Sequence, residues 1–393
     1  MHATIIKHLR VSPLSLAELQ LLTQVSLPTL RKAVQELIEA QWIRVVGQAQ
    51  TAGGRPAMLY GLDDRLHITV GVHLQLPGMR LIASDLTGAV LDEYVILHAE
   101  VPRPDDAVQS IAEYVAHVRQ ALPRRNILGV GIATPGFIDP ETGDIISIVR
   151  VPGWHNFPIC ARLQAMLNLP ARIANDVDCM AFAEIQYANM SFDRNLAYVG
   201  FDEGVKVSMF LNGELYKGLF GNAGLIQGRL IHVAGVADQG ELQQVLTIKG
   251  VNALFDRHIA ALNGGAQTPY ARIMAETDQR RRFQFILEAA DEGLPACAEV
   301  VRLMCAVLAP ALANIIFIVQ PDILILGGVL STMPVSLYGG LEAAIRSYLP
   351  SLLTNSLIIQ QAKLSSANRA AMGATHHFLQ NVRILEPERK NSS

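Results

Sequence analysis

The chain has 393 residues, half of them hydrophobic and 17% charged, with 32 Lys and Arg against 35 Asp and Glu for a formal net charge of −3. That length accommodates two or three domains, each with its own core, and the composition excludes a disordered chain. The charge balance excludes a globally basic nucleic-acid binder, and with apolar runs short of the ~20 residues of a membrane span, no membrane insertion is expected.

The charge is unevenly placed. Residues 1–60 carry six basic residues against three acidic ones, a net +3 that leaves −6 for the rest of the chain. A small DNA-reading head on a body that does not touch DNA would look like this. MHATIIKHLR lacks the long apolar core and cleavage site of a signal peptide, and residues 3–11 are expected to form a helix behind the head.

From Leu14 to Asp63 the pattern is that of a winged helix-turn-helix. Leu16, Leu19 and Leu22 mark one short helix; Leu30, Val34, Leu37 and Ile38 mark a second at i, i+4, i+7 and i+8. Ser15 and Ser26 precede them as expected N-caps, Pro28 suits a first helical turn, and Thr23-Gln24-Val25 is a tight link. The second helix then leaves Leu27, Pro28, Thr29, Arg31, Lys32 and Gln35 toward solvent. Arg31 can read guanine bidentately, Gln35 adenine and Leu27 a thymine methyl, while Lys32, Thr29 and Ser26 suit the backbone. Ile43–Val46 and Met58–Tyr60, joined by GQAQTAGGRPA, form the expected wing, with Arg55 at its tip. A helical protein-interaction module with a loose hairpin is the alternative.

Beyond Asp63-Asp64 the periodicity turns to strands. ITVGVHL, MRLIASDL and VLDEYVIL are followed by a helix over 105–122, a strand over 127–133 entering the Pro135-Gly136 loop, a helix over 159–167, the strand ARIAN ending at Asn175-Asp176, and a helix over 177–188. LAYVGFD, KVSMFLNG and GELYKG begin a second set of strands, a helical region is expected over 240–319, and DILILGGVL, a helix over 338–349, SLIIQQAKL and a last helix from Ala370 close the chain. Two α/β lobes built on one plan imply an actin-like, ribonuclease H-like architecture. The expected domains are a head over 1–63, a lobe over 64–188 completed by a helix over 370–385, and an oligomerising lobe over 189–369. Cys160, Cys179, Cys297 and Cys305 lack metal-ligand spacing and are expected as free buried thiols of a cytoplasmic protein, with no metal.

GVGIATPGFIDPETGDI, VPGWHNFPI, ANDVDCMAFAE, LNGELYKG and PDILILGGVL, behind a head ending in GGRPAMLYGLD, together resemble the ROK family of repressors, open reading frames and sugar kinases. The resemblance implies a two-lobed actin-like ATPase-type fold and, for the repressor branch, an operator-bound homodimer or homotetramer released by a carbohydrate or sugar-derived effector. The departures bear on enzyme against regulator. The family's DxGGT phosphate loop is replaced by GVHLQLPGMRL and its GTGIGGG loop by FDEGVKVS, where Glu203, Lys206 and Val207 occupy space that glycines leave for a triphosphate and Asp202 and Glu203 add negative charge. No nucleotide cofactor is expected, nor zinc, because GVADQGELQQV has no cysteine and places Glu241 where a thiolate would stand.

Asp176 matches the family's sugar-binding carboxylate, or else caps the helix that follows it. Leu225 and Gly228 replace the family's Glu and His, and Arg150 replaces an Asn. The implied effector residues are therefore Pro135, Gly136, Arg150, Asn175 and Asp176, with Leu225 and Gln227 as substituted neighbours. Structural or surface roles are expected for His73, His98, His376 and His377, and a loop-anchoring or sugar-stacking role for Trp154. The expected function is a sequence-specific transcriptional repressor of sugar genes; a sugar kinase, and a regulator with a vestigial pocket under a protein partner, are the alternatives.

Overall fold

A computed structural model describes residues 1–49, 56–148, 151–187, 190, 194–219, 221–226, 229–230, 240–241, 245–262, 268–364 and 367–382. It divides into one unit of residues 1–190 with 366–393 and another of residues 191–365.

The first unit begins with α1 (His2–Leu9), β1 (Leu14–Ser15), α2 (Leu16–Thr23), α3 (Leu27–Glu39), β2 (Ile43–Gln48) and β3 (Met58–Leu62). Ser15 closes a full capping box: its hydroxyl accepts the Glu18 N–H at 3.3 Å and the Glu18 carboxylate accepts the Ser15 N–H at 2.7 Å, worth about 1 kcal/mol. Gln24, left-handed at φ 55°, ends α2. Ser26 does not cap α3 through its side chain; its hydroxyl bonds that of Thr29 at 2.7 Å instead, and the helix start rests on Pro28. Leu30, Val34 and Leu37 face inward against Leu19 and against Ile5, Ile6 and Leu9 of α1. Leu22, expected inward, is 49% exposed. In an eight-residue helix only the stripe through Leu19 is covered by α1 and α3. The wing carries a strand the periodicity did not show, β1, which pairs with β3 in the order β1-β3-β2.

The body of this unit follows: β4 (His67–Gln75), β5 (Gly78–Asp85), β6 (Val90–Leu97), α4 (Pro104–Ala121), β7 (Asn126–Thr134), β8 (Phe137–Asp139), β9 (Asp144–Ser147), β10 (His155–Phe157), α5 (Ile159–Leu167), β11 (Ala171–Asn175) and α6 (Asp176–Tyr187). Its sheet has the order β11-β7-β4-β5-β6, with β4, β7 and β11 parallel. On β4, Ile68, Val70, Val72 and Leu74 point into a core with α4 and α5, while Thr69, Gly71 and His73 take the opposite face. The last helix, α13 (Arg369–Asn381), lies on that opposite face beside α6. The small sheet β10-β9-β8 was not legible in the sequence; Trp154, buried beside it, donates from Nε1 to the Pro102 carbonyl at 2.9 Å and so anchors the loop.

The second unit repeats the plan. β12 (Leu196–Phe201), β13 (Val205–Leu211) and β14 (Glu214–Leu215) form an antiparallel meander, and the short β15 (Arg229–Leu230) pairs with β16 (Gly240–Glu241). Then come α7 (Ile248–Ala260), α8 (Ala271–Ala275), α9 (Gln279–Asp291), α10 (Pro295–Val319), β17 (Ile323–Gly328), a 3₁₀ turn (Val329–Thr332), α11 (Val335–Ser347), α12 (Ser351–Ser356) and β18 (Ile358–Gln361). The sheet order β18-β17-β12-β13-β14 matches that of the first unit, strand for strand in both order and direction. Helix begins at Ile248 rather than Gly240, and α12 was not anticipated. Among the described residues one helix, α10, is long and apolar enough to cross a membrane by length and composition, contrary to the expectation from the apolar runs. Half of its most apolar stretch is buried, with Leu303, Met304, Val307, Leu308 and Leu312 packed in the unit's core. Burial pushes the Cys160, Cys297 and Cys305 thiols up to about 12.

Candidate nucleic-acid interface and effector site

Inward packing of Leu30, Val34 and Leu37 leaves the other face of α3 to solvent. Pro28, Thr29, Arg31, Lys32 and Gln35 are exposed, Ser26 is exposed at the helix start, and Leu27 is half-buried. Residues 28, 31, 32 and 35 share one stripe at i, i+3, i+4 and i+7. Gln35 donates to Glu39 at 2.9 Å, Lys32 stands 4.0 Å from Glu36, and His2 of α1 meets Glu36 at 2.7 Å. Arg55 lies outside the described residues.

At the carboxyl edge of the first unit's sheet the register brings two strand ends level: His73 of β4 pairs with Ala133 of β7, and Asn175 of β11 with Thr134. Asn175 is buried; its amide donates to the Gly136 carbonyl at 3.4 Å and its Oδ1 accepts the Val177 N–H at 3.0 Å. Gly136 has φ 87°, and a Cβ there would lie 2.3 Å from the Ser147 carbonyl oxygen, so only glycine fits the turn. Asp176 opens α6. Its Oδ1 accepts the Val177 N–H at 2.9 Å, while its Oδ2 stands 3.9 Å from Nε2 of His73.

The structure thus groups Pro135, Gly136, Asn175 and Asp176 and adds His73, which had been given only a structural or surface role. A polar residue closing an otherwise buried strand was its signal. Leu225 belongs to the second unit, where it bridges Lys206. Arg150 and Gln227 lie outside the described residues.

In the second unit, the β12–β13 turn is closed by a bond from the Asp202 N–H to the Gly204 carbonyl at 2.9 Å. Lys206 and Val207 are buried within β13. Asp202, read as unneutralised charge, is ion-paired with Arg280 at 2.7 Å. The pairing partner comes from α9, far away in sequence.

The sequence profile of the ROK family matches residues 78–240 and 257–381, most of the chain. The chain belongs to the ROK family. It is 27% identical over 221 residues to the xylose repressor of Bacillus subtilis (strain 168), a match covering 55% of this chain and 56% of that one, so it spans about half the length of that relative. By fold it is similar to a ROK family transcriptional regulator, a homolog of the E. coli MLC protein, with a TM-score of 0.78 and 21% identity over 97% of both chains. It is also similar to a ROK glucokinase from Streptomyces griseus in complex with glucose and AMPPNP, with a TM-score of 0.65 and 18% identity over 79% of this chain and 98% of that one.

In this ROK chain the head and the body of the first unit share a core: Leu86, Phe378 and Leu379 join the cluster of Ile5, Leu19, Leu30 and Trp42. Gln186, near the end of α6, donates from Nε2 to the Arg10 carbonyl at 2.8 Å, and the Trp42 and His67 rings lie 5.0 Å apart. A small cavity here is lined by Arg10, Asp85, Gln186, Tyr187 and His376 together with apolar Leu86 and Leu379. Burial pushes Arg10 down to about 10 and Tyr187 up to about 12.

His376 is 5% exposed, 3.0 Å from the Gln380 amide and 5.8 Å from the Phe182 ring. Burial holds it well below the ordinary imidazole value, with Arg10 and then His377 adding to the effect. Below about pH 6.5 the unfolded chain therefore takes up a proton that the folded chain refuses. Stability present above that pH is lost as pH falls, by about 1.4 kcal/mol per pH unit until the folded-state value is reached. Urea unfolding between about pH 7.5 and 5 is expected to show a shallower acid loss for His376→Gln than for the parent. Equal slopes would assign the acid sensitivity to other groups.

Proposed function

We propose that this chain is a DNA-binding transcriptional regulator, a repressor of sugar transport or metabolism genes, acting in the cytoplasm on a double-stranded operator. The observation that carries the reading is the exposed stripe of α3, which combines a base-reading Arg31 and Gln35 with Lys32 on a helix-turn-helix whose first helix closes a capping box. The head over 1–63 reads DNA, with Ser26, Leu27, Pro28, Thr29 and Arg55 assisting, and the lobes over 64–188 and 189–369 form the effector body, the former completed by the helix over 370–385. Relatives bearing repressor and regulator names support this division. A homodimer or homotetramer presents two heads to a pseudo-palindromic site.

The chain is not an enzyme in this reading. The filled β12–β13 turn favours that over a sugar kinase, since buried Lys206 and Val207 stand where a nucleotide's phosphates would need bare backbone. Asp176, Asn175, Pro135 and Gly136 hold a carbohydrate effector, with Arg150, Leu225 and Gln227 assigned from sequence. Helix α6 links the effector to the head: it starts at Asp176 and runs about 15 Å to Gln186, which holds the Arg10 carbonyl. Movement of its first turn on ligand binding is passed to the head as a rigid shift, the differential contact that allostery requires.

Footprinting on genomic fragments flanking the protein's own gene, at stated salt, tests this. One discrete protected stretch is expected, weakened by the effector sugar. Sequence-indifferent binding alone would overturn the reading.

A further inference from the structure

We infer that His73 is a ligand-specifying residue, and that its Nε2 and Oδ2 of Asp176 are set to grip a single hydroxyl group of a polyhydroxylated ligand between them. This rests on the effector site proposed above. The geometry comes from the strand order: β4, β7 and β11 are parallel, so the ends of β4 and β11 reach one edge, where ligands of open α/β sheets bind.

His73 is 6% exposed, and its Nδ1 is buried without a hydrogen-bond partner among the described residues. At 3.9 Å, Nε2 and Oδ2 are too far apart to bond each other. An oxygen seated about 2.8 Å from each atom would subtend roughly a right angle, an ordinary geometry for a hydroxyl. The Asp176 carboxylate is not free to swing across the gap, because Oδ1 is engaged by the N–H of Val177.

The tautomer follows from the orphan. A buried N–H left unsatisfied costs more than a buried lone pair, so the ring proton belongs on Nε2 and Nδ1 keeps its lone pair. Nε2–H then donates and Oδ2 accepts. The group between them must do both at once. A hydroxyl does so; a carbonyl, ether or phosphate oxygen would turn lone pairs toward the carboxylate, and an ammonium would meet the ring N–H with its own hydrogens. The site therefore selects neutral polyols and sugars at this position and rejects the analogue that lacks the hydroxyl.

Calorimetric titration of the full chain with D-xylose and with D-glucose tests this, in parallel on the parent, His73→Leu and His73→Gln. The parent is expected to bind one of them. His73→Leu should weaken that binding at least tenfold, and His73→Gln, which restores an N–H donor, should recover part of it. The singly deoxygenated analogues of the bound sugar, titrated into the parent, give a readout independent of variant folding: one of them should bind at least tenfold more weakly than the rest. Binding of neither sugar by the parent would overturn the effector site and this inference with it. Binding that is equal in the parent and His73→Leu, or equal for every deoxygenated analogue, would overturn the role of His73 alone, leaving an ordered water as the bridging group.

Discussion

Alanine at both Arg31 and Lys32 will lower affinity for the protected operator by roughly ten- to a thousand-fold and flatten its salt dependence. A bidentate arginine contact to a guanine edge is worth about 1–3 kcal/mol of discrimination, and each lost phosphate contact removes about one unit from the slope of log affinity against log salt. Both side chains stand on the exposed stripe of α3; Lys32 is 80% exposed, with Glu36 no closer than 4.0 Å. Removing them should leave the core of Leu30, Val34 and Leu37 untouched. Gel shifts at two salt concentrations separate the two roles: loss of Arg31 alone should relax specificity, and loss of Lys32 alone should weaken all sequences alike. Arg302→Ala, on the second unit and paired with Glu299, serves as the control and should bind as the parent does. Unchanged affinity in the double variant would remove α3 as the reading helix.

Replacing Gly373 with valine will cost about 3 kcal/mol or more and unfold the first unit under mild conditions. Gly373 lies where α13 packs on α6, and a Cβ there would fall 1.7 Å from the Cys179 carbonyl oxygen and 2.4 Å from its carbon. The obstacle is backbone, so no rotamer relieves it, and the clash outweighs the ~1 kcal/mol that a helix gains when alanine replaces glycine. Gly340 of α11 is the opposite case, exposed and with nothing within 4 Å of its Cβ position. Gly340→Ala should stabilise by about 0.5–1 kcal/mol. Urea unfolding of the two variants is expected to move in opposite directions. A Gly373→Val protein as stable as the parent would show that α6 and α13 are not held at this separation. In the proposed relay that separation matters, because α6 carries Asp176 at one end and Gln186, the holder of the Arg10 carbonyl, near the other.

What the residues declared by themselves was local or periodic. The 3.6-residue spacing of Leu30, Val34 and Leu37 predicted the inward face of α3 and hence its outward one, and Ser15 was legible as an N-cap, though its closure into a capping box with Glu18 and the missing side-chain cap at Ser26 were not. The strands of the two five-stranded sheets followed from alternation and turn residues, but β1 and the small sheet of β8, β9 and β10 did not. The order of strands and helices, partly repeated along the chain, supplied the duplicated plan.

Wherever a partner came from far along the chain, the sequence was silent or misleading. Leu22 looks as apolar as Leu19 yet faces solvent, because which stripe of α2 is covered depends on where α1 lies. Asp202 reads as a free charge until α9 brings Arg280 to it. Arg10 and His376, 366 residues apart in numbering, line one cavity only because α13 returns to the first unit. His73 lies on β4 and Asp176 opens α6 just past the end of β11, with β7 between the two strands, so their approach is a product of sheet order and register. Local hydrogen bonding and side-chain period determined the elements; tertiary packing, which alone sets long-range neighbours, decided which polar groups are buried and which are paired.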